Sequence, residues 1–179
     1  MGLLLYPSFL FPKEREITMK NIRKLTACAI VAALYAAITI LTAPLSFGLV
    51  QFRLSEALIV LCCLEPSLGI GITLGCFLAN LFSTVTALDM IIGTAATALA
   101  CLWTAKCKRP WLMPLPNILC NAVIVGGMLA FILFPDNLAV GFATAALQVG
   151  FGELTVMYIL GMPLYFFAKK TDFLKKALS

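Results

Sequence analysis

Long apolar runs follow one another along most of the chain, and short breaks rich in proline, glycine or charge separate them. A helix needs roughly 20 residues to span a bilayer, and this pattern of runs and breakers predicts apolar helices. The predicted segments are Leu25–Thr42, Leu54–Leu64, Ser67–Phe82, Leu88–Ala105, Pro114–Phe134 and Leu138–Ala168.

The second and third segments are shorter than a usual membrane span. The 11 residues of Leu54–Leu64 would rise only about 17 Å as an α-helix, whereas the hydrocarbon core is about 30 Å thick. The pair is therefore either two short helices buried among their neighbours or one re-entrant hairpin. Both alternatives return the chain to the same side of the membrane.

The positions of the basic residues indicate the orientation. With six spans, 12 of the 13 Lys and Arg residues share one side with both termini, and Arg53 alone falls on the other side. The positive-inside rule then places both termini in the cytoplasm. A five-span chain would split these basic clusters between the two sides.

Composition narrows the class of protein further. Hydrophobic residues make up 62% of the 179 residues and charged residues 12%, whereas soluble domains have about 25% charged residues. This excludes a soluble globular domain and a disordered chain. The net charge of +5 comes from short clusters between apolar runs, so we expect no nucleic-acid binding. The predicted fold is all-α: a multi-pass, six-helix transmembrane bundle in the cell membrane, with short second and third helices and cytoplasmic termini.

The first 18 residues form a separate case. Met1 to Phe11 is apolar but too short to span, and Lys13 and Arg15 follow it. A secretory signal would have its positive residues before the apolar stretch, so we do not predict one. Met19 followed by Lys20 is typical of a bacterial start. We therefore expect 1–18 to be a mis-assigned start or a loose extension and 19–179 to be a single domain.

Missing residue types limit the possible chemistry. The chain has no histidine, and its seven cysteines form no C-x-x-C pair, so we expect no metal site, no cofactor and no histidine-based catalysis. It also lacks a Gly-rich phosphate-binding loop. We expect a protein that is not an enzyme and that has no energy source of its own.

Polar residues within the apolar segments predict a binding site. Ionisable groups in spans are costly and usually face the bundle interior or a cavity. Arg53 and Glu56 share a helix face at i and i+3. The proposed outer set, at the outer ends of the second to fourth segments, is Gln51, Arg53, Glu56, Asn80 and Asp89.

A deeper set lies on the last two segments. Asn117 and Asn121 are one turn apart, and Asn121 would meet Glu153 at similar depth if these helices pack together; Gln148 precedes them on the last segment. The alternative is structural: Arg53 and Glu56 form only a neutralised pair, and the asparagines only join helices. The outer and deeper sets of polar residues together predict a cavity for a polar, planar or cationic small molecule.

A stripe of small residues marks the first segment. Ala29, Ala33 and Ala37 recur every four residues, and such a stripe lets another helix approach closely. It predicts either a docking face for a partner protein or ordinary internal packing.

These segments together resemble the QueT family, the substrate-binding S components of energy-coupling factor (ECF) transporters assigned to queuosine precursors. The resemblance covers about residues 20–169. The motifs that carry it are the alanine-rich run 29–37, Ala43-Pro44-Leu45-Ser46-Phe47-Gly48, Gln51-Phe52-Arg53-Leu54-Ser55-Glu56-Ala57, the run 74–83, Asp89 with Gly93, and Gly150-Phe151-Gly152-Glu153-Leu154.

The resemblance implies six helices and a complex with a transmembrane coupling subunit and two ATPase subunits. It implies import of a 7-deazaguanine such as queuine or its aminomethyl or cyano precursor. It also implies that Ala29, Ala33 and Ala37 contact the coupling subunit and that the 43–53 loop closes the site. The alternatives are an S component for another vitamin or nucleobase, and a membrane assembly or interaction protein without transport.

Overall fold

The structure, a computed structural model, describes residues 12–48, 50–83, 88–172, 174 and 178, and every regular element within them is helical. The elements are, in chain order, α1 (Pro12–Leu41), α2 (Ala43–Ser46), a 3₁₀ helix (Leu54–Cys63), α3 (Leu68–Asn80), α4 (Leu88–Thr104), a 3₁₀ turn (Pro110–Leu112), α5 (Leu115–Cys120), a π-helical turn (Asn121–Val125), α6 (Gly126–Leu133), α7 (Leu138–Val156), a second π-helical turn (Met157–Gly161) and α8 (Met162–Thr171).

The all-helical prediction is confirmed, and the segment boundaries agree closely with the apolar runs. Three helices are long and apolar enough to cross a membrane, namely Ile17–Leu41, Pro110–Leu133 and Leu138–Thr171. The apolar helices Leu54–Cys63, Leu68–Asn80 and Leu88–Thr104 are shorter. The number of crossings and the side of the termini stay predictions.

The second segment differs from the expected α-helix because Leu54–Cys63 is a 3₁₀ helix. A 3₁₀ helix rises about 2.0 Å per residue, so this segment reaches farther than an α-helix of equal length. Seven of its 10 residues are buried, including Glu56 in its first turn. The segment is therefore an interior element, covered by the longer helices.

The first helix begins before residue 19, and the expectation that residues 1–18 are a mis-assigned start or a loose extension stays a prediction. Residues 12–18 form the first turns of α1, which continues without interruption to Leu41. Residues 1–11, the remainder of the predicted extension, lie outside the described residues.

Apolar side chains cover the surface, while charged side chains lie inside. Leu41, Leu147 and Phe131 are 83%, 74% and 70% exposed, whereas Arg53 and Glu56 are 1% and 0% exposed. A soluble protein rarely exposes so much contiguous apolar surface, but lipid covers such a surface in a membrane. The distribution fits a membrane protein with a polar interior site.

Glycines on α3 bring it close to α1. A Cβ atom added at Gly75 would lie 2.6 Å from the carbonyl oxygen of Ala32, and one at Gly71 would collide with the backbone of Cys28. Small residues permit this approach between membrane helices. It also packs Tyr35 fully inside the bundle, where its hydroxyl reaches the polar interior.

Candidate functional site

Four chain segments converge on a buried polar cluster, defined here as Arg53, Glu56, Asn80 and Asp89. Arg53 caps the 3₁₀ helix, Glu56 lies in its first turn, Asn80 ends α3 and Asp89 lies in the first turn of α4. Each side chain is at most 3% exposed. The structure therefore brings together four of the five residues of the predicted outer set in one place.

Arg53 lies between two carboxylates. Its Nη1 is 3.7 Å from Glu56 Oε1 and its Nη2 is 3.9 Å from Asp89 Oδ2. The shared face of Arg53 and Glu56 is confirmed, because a 3₁₀ helix has three residues per turn and aligns positions i and i+3. Both separations exceed normal hydrogen-bond length, so these ion pairs leave hydrogen-bonding capacity unused.

One oxygen of Glu56 is fixed by neighbouring helices. The Tyr35 hydroxyl donates to Glu56 Oε1 at 2.5 Å, and the Thr97 hydroxyl donates to the same oxygen at 3.1 Å. Close by, the hydroxyls of Thr39 and Ser55 are 2.6 Å apart. These contacts tie α1 and α4 to the 3₁₀ helix and orient the carboxylate.

A hydrogen bond also joins Asn80 to Asp89. Asn80 Nδ2 donates to the backbone carbonyl of Asp89 at 3.1 Å, and the Ser83 hydroxyl donates to Asp89 Oδ2 at 2.8 Å. Asn80 Nδ2 also lies 3.4 Å from the Cys76 sulfur, which forms part of the wall. The end of α3 and the start of α4 are thus held around Arg53.

Several buried atoms of this region have no hydrogen-bond partner in the part of the chain that the structure describes. Buried polar groups are normally hydrogen-bonded, and each exception calls for an explanation. The atoms comprise three donors and three acceptors: Gln51 Nε2, Arg53 Nε, Arg53 Nη2, Glu56 Oε2, Asn80 Oδ1 and Asp89 Oδ1. A ligand with both donors and acceptors would satisfy them.

The 50–53 segment runs into the bundle. Gln51 is 1% exposed, and a Cβ atom added at Gly152 would collide with its carbonyl oxygen. Gly152 is 14 residues beyond the start of α7, which corresponds to roughly 21 Å of helix. Phe47 lies just before this segment, and its ring centroid is 5.7 Å from Arg53 Cζ. The ring therefore also covers the cluster.

A second polar group lies on the last two long helices. Asn117 Nδ2 donates to Glu153 Oε2 at 2.8 Å, and Asn121 Nδ2 donates to Asn117 Oδ1 at 2.8 Å. All three residues are buried. The predicted meeting of Asn121 with Glu153 is therefore corrected: Asn117 makes the contact and Asn121 orients Asn117. Gly152, next to Glu153, packs against the backbone of Gln51, and this contact brings the second polar group close to the segment that carries Arg53.

Gln148 does not belong to either group. Its side chain is exposed, whereas the neighbouring Val149 and Gly152 are buried. Successive residues of an α-helix are about 100° apart, so the rotation that buries Val149 turns Gln148 outward. The prediction that Gln148 lines the site is not supported by this position.

The alanine stripe lies on the outside of α1. Ala29, Ala33 and Ala37 are all exposed, whereas Ala32 on the adjacent face is buried against α3. The stripe is therefore not used for packing within the described part of the chain, and its role as a docking face stays a prediction.

Sequence reasoning missed Tyr35, Thr97, Thr39 and Ser55. The available signal was the polar atom that each contributes to an apolar segment, but hydroxyls are common in membrane helices and carry little information alone. Their importance comes from packing, which aims all of these hydroxyls towards Glu56 or its neighbour.

The four side chains of the cluster are at most 3% exposed. A cavity of about 380 Å³ lies at the other end of the bundle, beside Lys20, Lys24, Glu65 and Lys169. A second, apolar cavity of about 340 Å³ lies between α3 and α4. Among the described residues, no group of three or more Cys, Asp or Glu side chains is placed to hold a metal ion.

Comparison with known proteins gives one match. A family model described as "QueT transporter" matches residues 25–170, which include the larger part of α1, nearly all of α8 and every element between them. No curated protein and no solved structure matches the chain significantly.

Proposed function

Because the chain belongs to the QueT transporter family, we propose that it is the substrate-binding S component of an ECF transporter and that it imports a 7-deazaguanine precursor of queuosine. Family membership makes it a membrane transport protein for a small molecule. The finer assignment of substrate and partners is the proposal.

The observation that supports this substrate class is the set of buried atoms without hydrogen-bond partners. The three donors lie on Gln51 and Arg53, and the three acceptors lie on Glu56, Asn80 and Asp89. A 7-deazaguanine offers a carbonyl acceptor and several N–H donors around one flat ring, the kind of edge that proteins read with amides and carboxylates. An apolar ligand would leave all six atoms unsatisfied, and a purely anionic ligand would leave the three acceptors unsatisfied.

Two features support the ECF partnership. The sequence contains no phosphate-binding loop of its own, so ATP hydrolysis for uptake would take place in other subunits. The exposed stripe of Ala29, Ala33 and Ala37 offers a flat helix surface of the kind that allows close helix contact. In the proposed topology the chain crosses the membrane six times with both termini in the cytoplasm, as the distribution of Lys and Arg favours.

The test is direct binding by the purified, solitary subunit. Equilibrium dialysis with radiolabelled 7-deazaguanines should show saturable binding at one site, and guanine, adenine and thiamine serve as competitors. Stronger competition by a vitamin or by another base would replace the proposed substrate while keeping the S-component assignment. Absence of binding for every compound would contradict the S-component assignment itself.

A further inference from the structure

The buried charges of the bundle do not balance. Among the residues that the structure describes, the buried charged side chains are Arg53, Glu56, Asp89 and Glu153, each at most 1% exposed. Arg53 lies within 4 Å of two of these carboxylates, Glu56 and Asp89, whereas Glu153 accepts from Asn117. Uncompensated charge is costly to bury in a protein or a membrane, so the ionised site has room for additional positive charge.

Two of these carboxylates each keep one oxygen free. Glu56 Oε1 accepts from Tyr35 and Thr97, whereas Glu56 Oε2 has no partner. Asp89 Oδ2 accepts from Ser83, whereas Asp89 Oδ1 has no partner. An ammonium group has three N–H donors and no acceptor, so it is matched to free carboxylate oxygens and supplies positive charge at the same time.

Gly93 lies beside one of these oxygens. A Cβ atom added there would lie 3.1 Å from Asp89 Oδ1, 3.1 Å from Asn80 Nδ2 and 3.9 Å from Arg53 Nη1. A side chain at this position would therefore press on the free oxygen. Glycine places no side-chain atom against Asp89 Oδ1 at the point where α3, α4 and Arg53 meet.

We propose that the bound substrate carries an ammonium group next to Asp89 and Glu56, so that the protein selects a cationic 7-deazaguanine over neutral ones. This inference rests on the proposed function and deepens it by naming the charge of the substrate. The aminomethyl form is a primary amine and is protonated at neutral pH, as lysine is. The cyano form and a 7-methyl form share its ring but carry no charge.

The experiment compares dissociation constants of the full chain for the aminomethyl, cyano and methyl forms. The aminomethyl form should bind about 10- to 150-fold more tightly than the neutral forms, the value of one charge-assisted hydrogen bond. Asp89→Asn should reduce this ratio, since it removes one negative charge and one free acceptor. Asp136→Asn, at an exposed turn outside the site, is the matched control and should keep the wild-type ratio.

A second variant guards against a folding defect in Asp89→Asn. Gly93→Ala keeps every charge but presses on Asp89 Oδ1, so it should also lower the preference for the aminomethyl form. The ratio is informative because a loss of folded protein changes the number of sites and leaves relative affinities unchanged. Equal binding of all three forms, or an unaltered ratio in both variants, would overturn the charge preference while the proposed function stands. Failure of all three forms to bind would overturn both.

Discussion

Gly152 determines how closely the segment carrying Gln51 and Arg53 approaches α7. A Cβ atom at this position would overlap the Gln51 carbonyl oxygen, and backbone atoms cannot move aside as the end of a flexible side chain can. The glycine is therefore needed for close packing between the two parts of the site.

Gly152→Ala should displace the 50–53 segment and weaken substrate binding. Overpacking typically costs about 1–3 kcal/mol, which corresponds to about 5- to 150-fold in affinity. Gly150→Ala is the matched control on the same helix, since its Cβ would meet only the Cβ of Ala122 at 3.4 Å. Dialysis should show near-normal affinity for the control. Equal affinity in both variants would mean that this approach does not shape the site.

Individual residues of the site were predictable only in part. Arg53, Glu56, Asn80 and Asp89 could be found because charge or amide groups are conspicuous in apolar runs. Gln148 was misplaced because its exposure depends on the rotation of α7, which the sparse polar pattern of that helix does not define. Asn117 rather than Asn121 contacts Glu153, a choice between adjacent turns that side-chain packing decides.

At the scale of elements, Glu65 connects the turn before α3 to Lys24 of α1. Its Oε1 accepts from Lys24 Nζ at 3.2 Å and from the Ser67 hydroxyl at 2.7 Å. Partial burial acts to raise the pKa of Glu65, but the hydrogen bonds from Ser67 and Lys24 outweigh it and hold the pKa below its usual value.

This contact should make thermal stability depend on pH in the acid range. A lowered pKa in the folded state means that the contribution is fully present above the usual glutamate pKa of about 4.3 and is lost as pH falls through the lowered value. The melting temperature of the wild type should therefore fall more steeply below about pH 4.3 than that of Glu65→Gln. Parallel melting curves across the acid range would show that the contact contributes nothing.

The exposed face of α1 supports a prediction about assembly. Ala33→Leu should hold a partner helix away and weaken docking by about 5- to 150-fold, since overpacking costs about 1–3 kcal/mol. Substrate uptake with the coupling subunit and ATPases should fall, while binding by the solitary subunit stays normal.

Ala95→Leu provides the matched control, because Ala95 is an exposed alanine on α4. Uptake should stay near the wild-type level in this variant. Normal uptake by Ala33→Leu as well would leave the stripe without a role in docking.

Elements were easier to predict than residues, because apolar runs and proline breaks define where helices begin and end. The exceptions have physical causes. The Leu54–Cys63 segment is a 3₁₀ helix. Its apolar composition is equally compatible with an α-helix, so the helix type depends on its buried surroundings. The two π-helical turns are Asn121–Val125 and Met157–Gly161. Gly126 and Gly127 follow the first, and Pro163 follows the second, where it removes the hydrogen bond to the carbonyl of Ile159; these residues mark a disturbance but not its type.

At the scale of the whole molecule, the bundle places apolar residues outside and a charged, incompletely hydrogen-bonded group inside. Such burial is costly for a protein without a ligand. A ligand that satisfies these groups recovers that cost, which supports the proposal that substrate binds at the cluster of Arg53, Glu56, Asn80 and Asp89. The cavity beside Lys20 and Lys169 lies at the other end of the bundle and has no part in it.

The affinity of purified Glu56→Gln for a 7-deazaguanine, measured beside the wild type, tests whether substrate binds at this cluster. The glutamine keeps an oxygen that can accept from Tyr35 and Thr97, and Asp89 still faces Arg53 at 3.9 Å. Loss of one charge-assisted contact of roughly 1.5–3 kcal/mol should therefore weaken binding by about 10- to 150-fold, with an unchanged melting temperature in the absence of ligand. Near-normal affinity together with a clearly lowered melting temperature would contradict the account, since Glu56 would then serve only to neutralise Arg53.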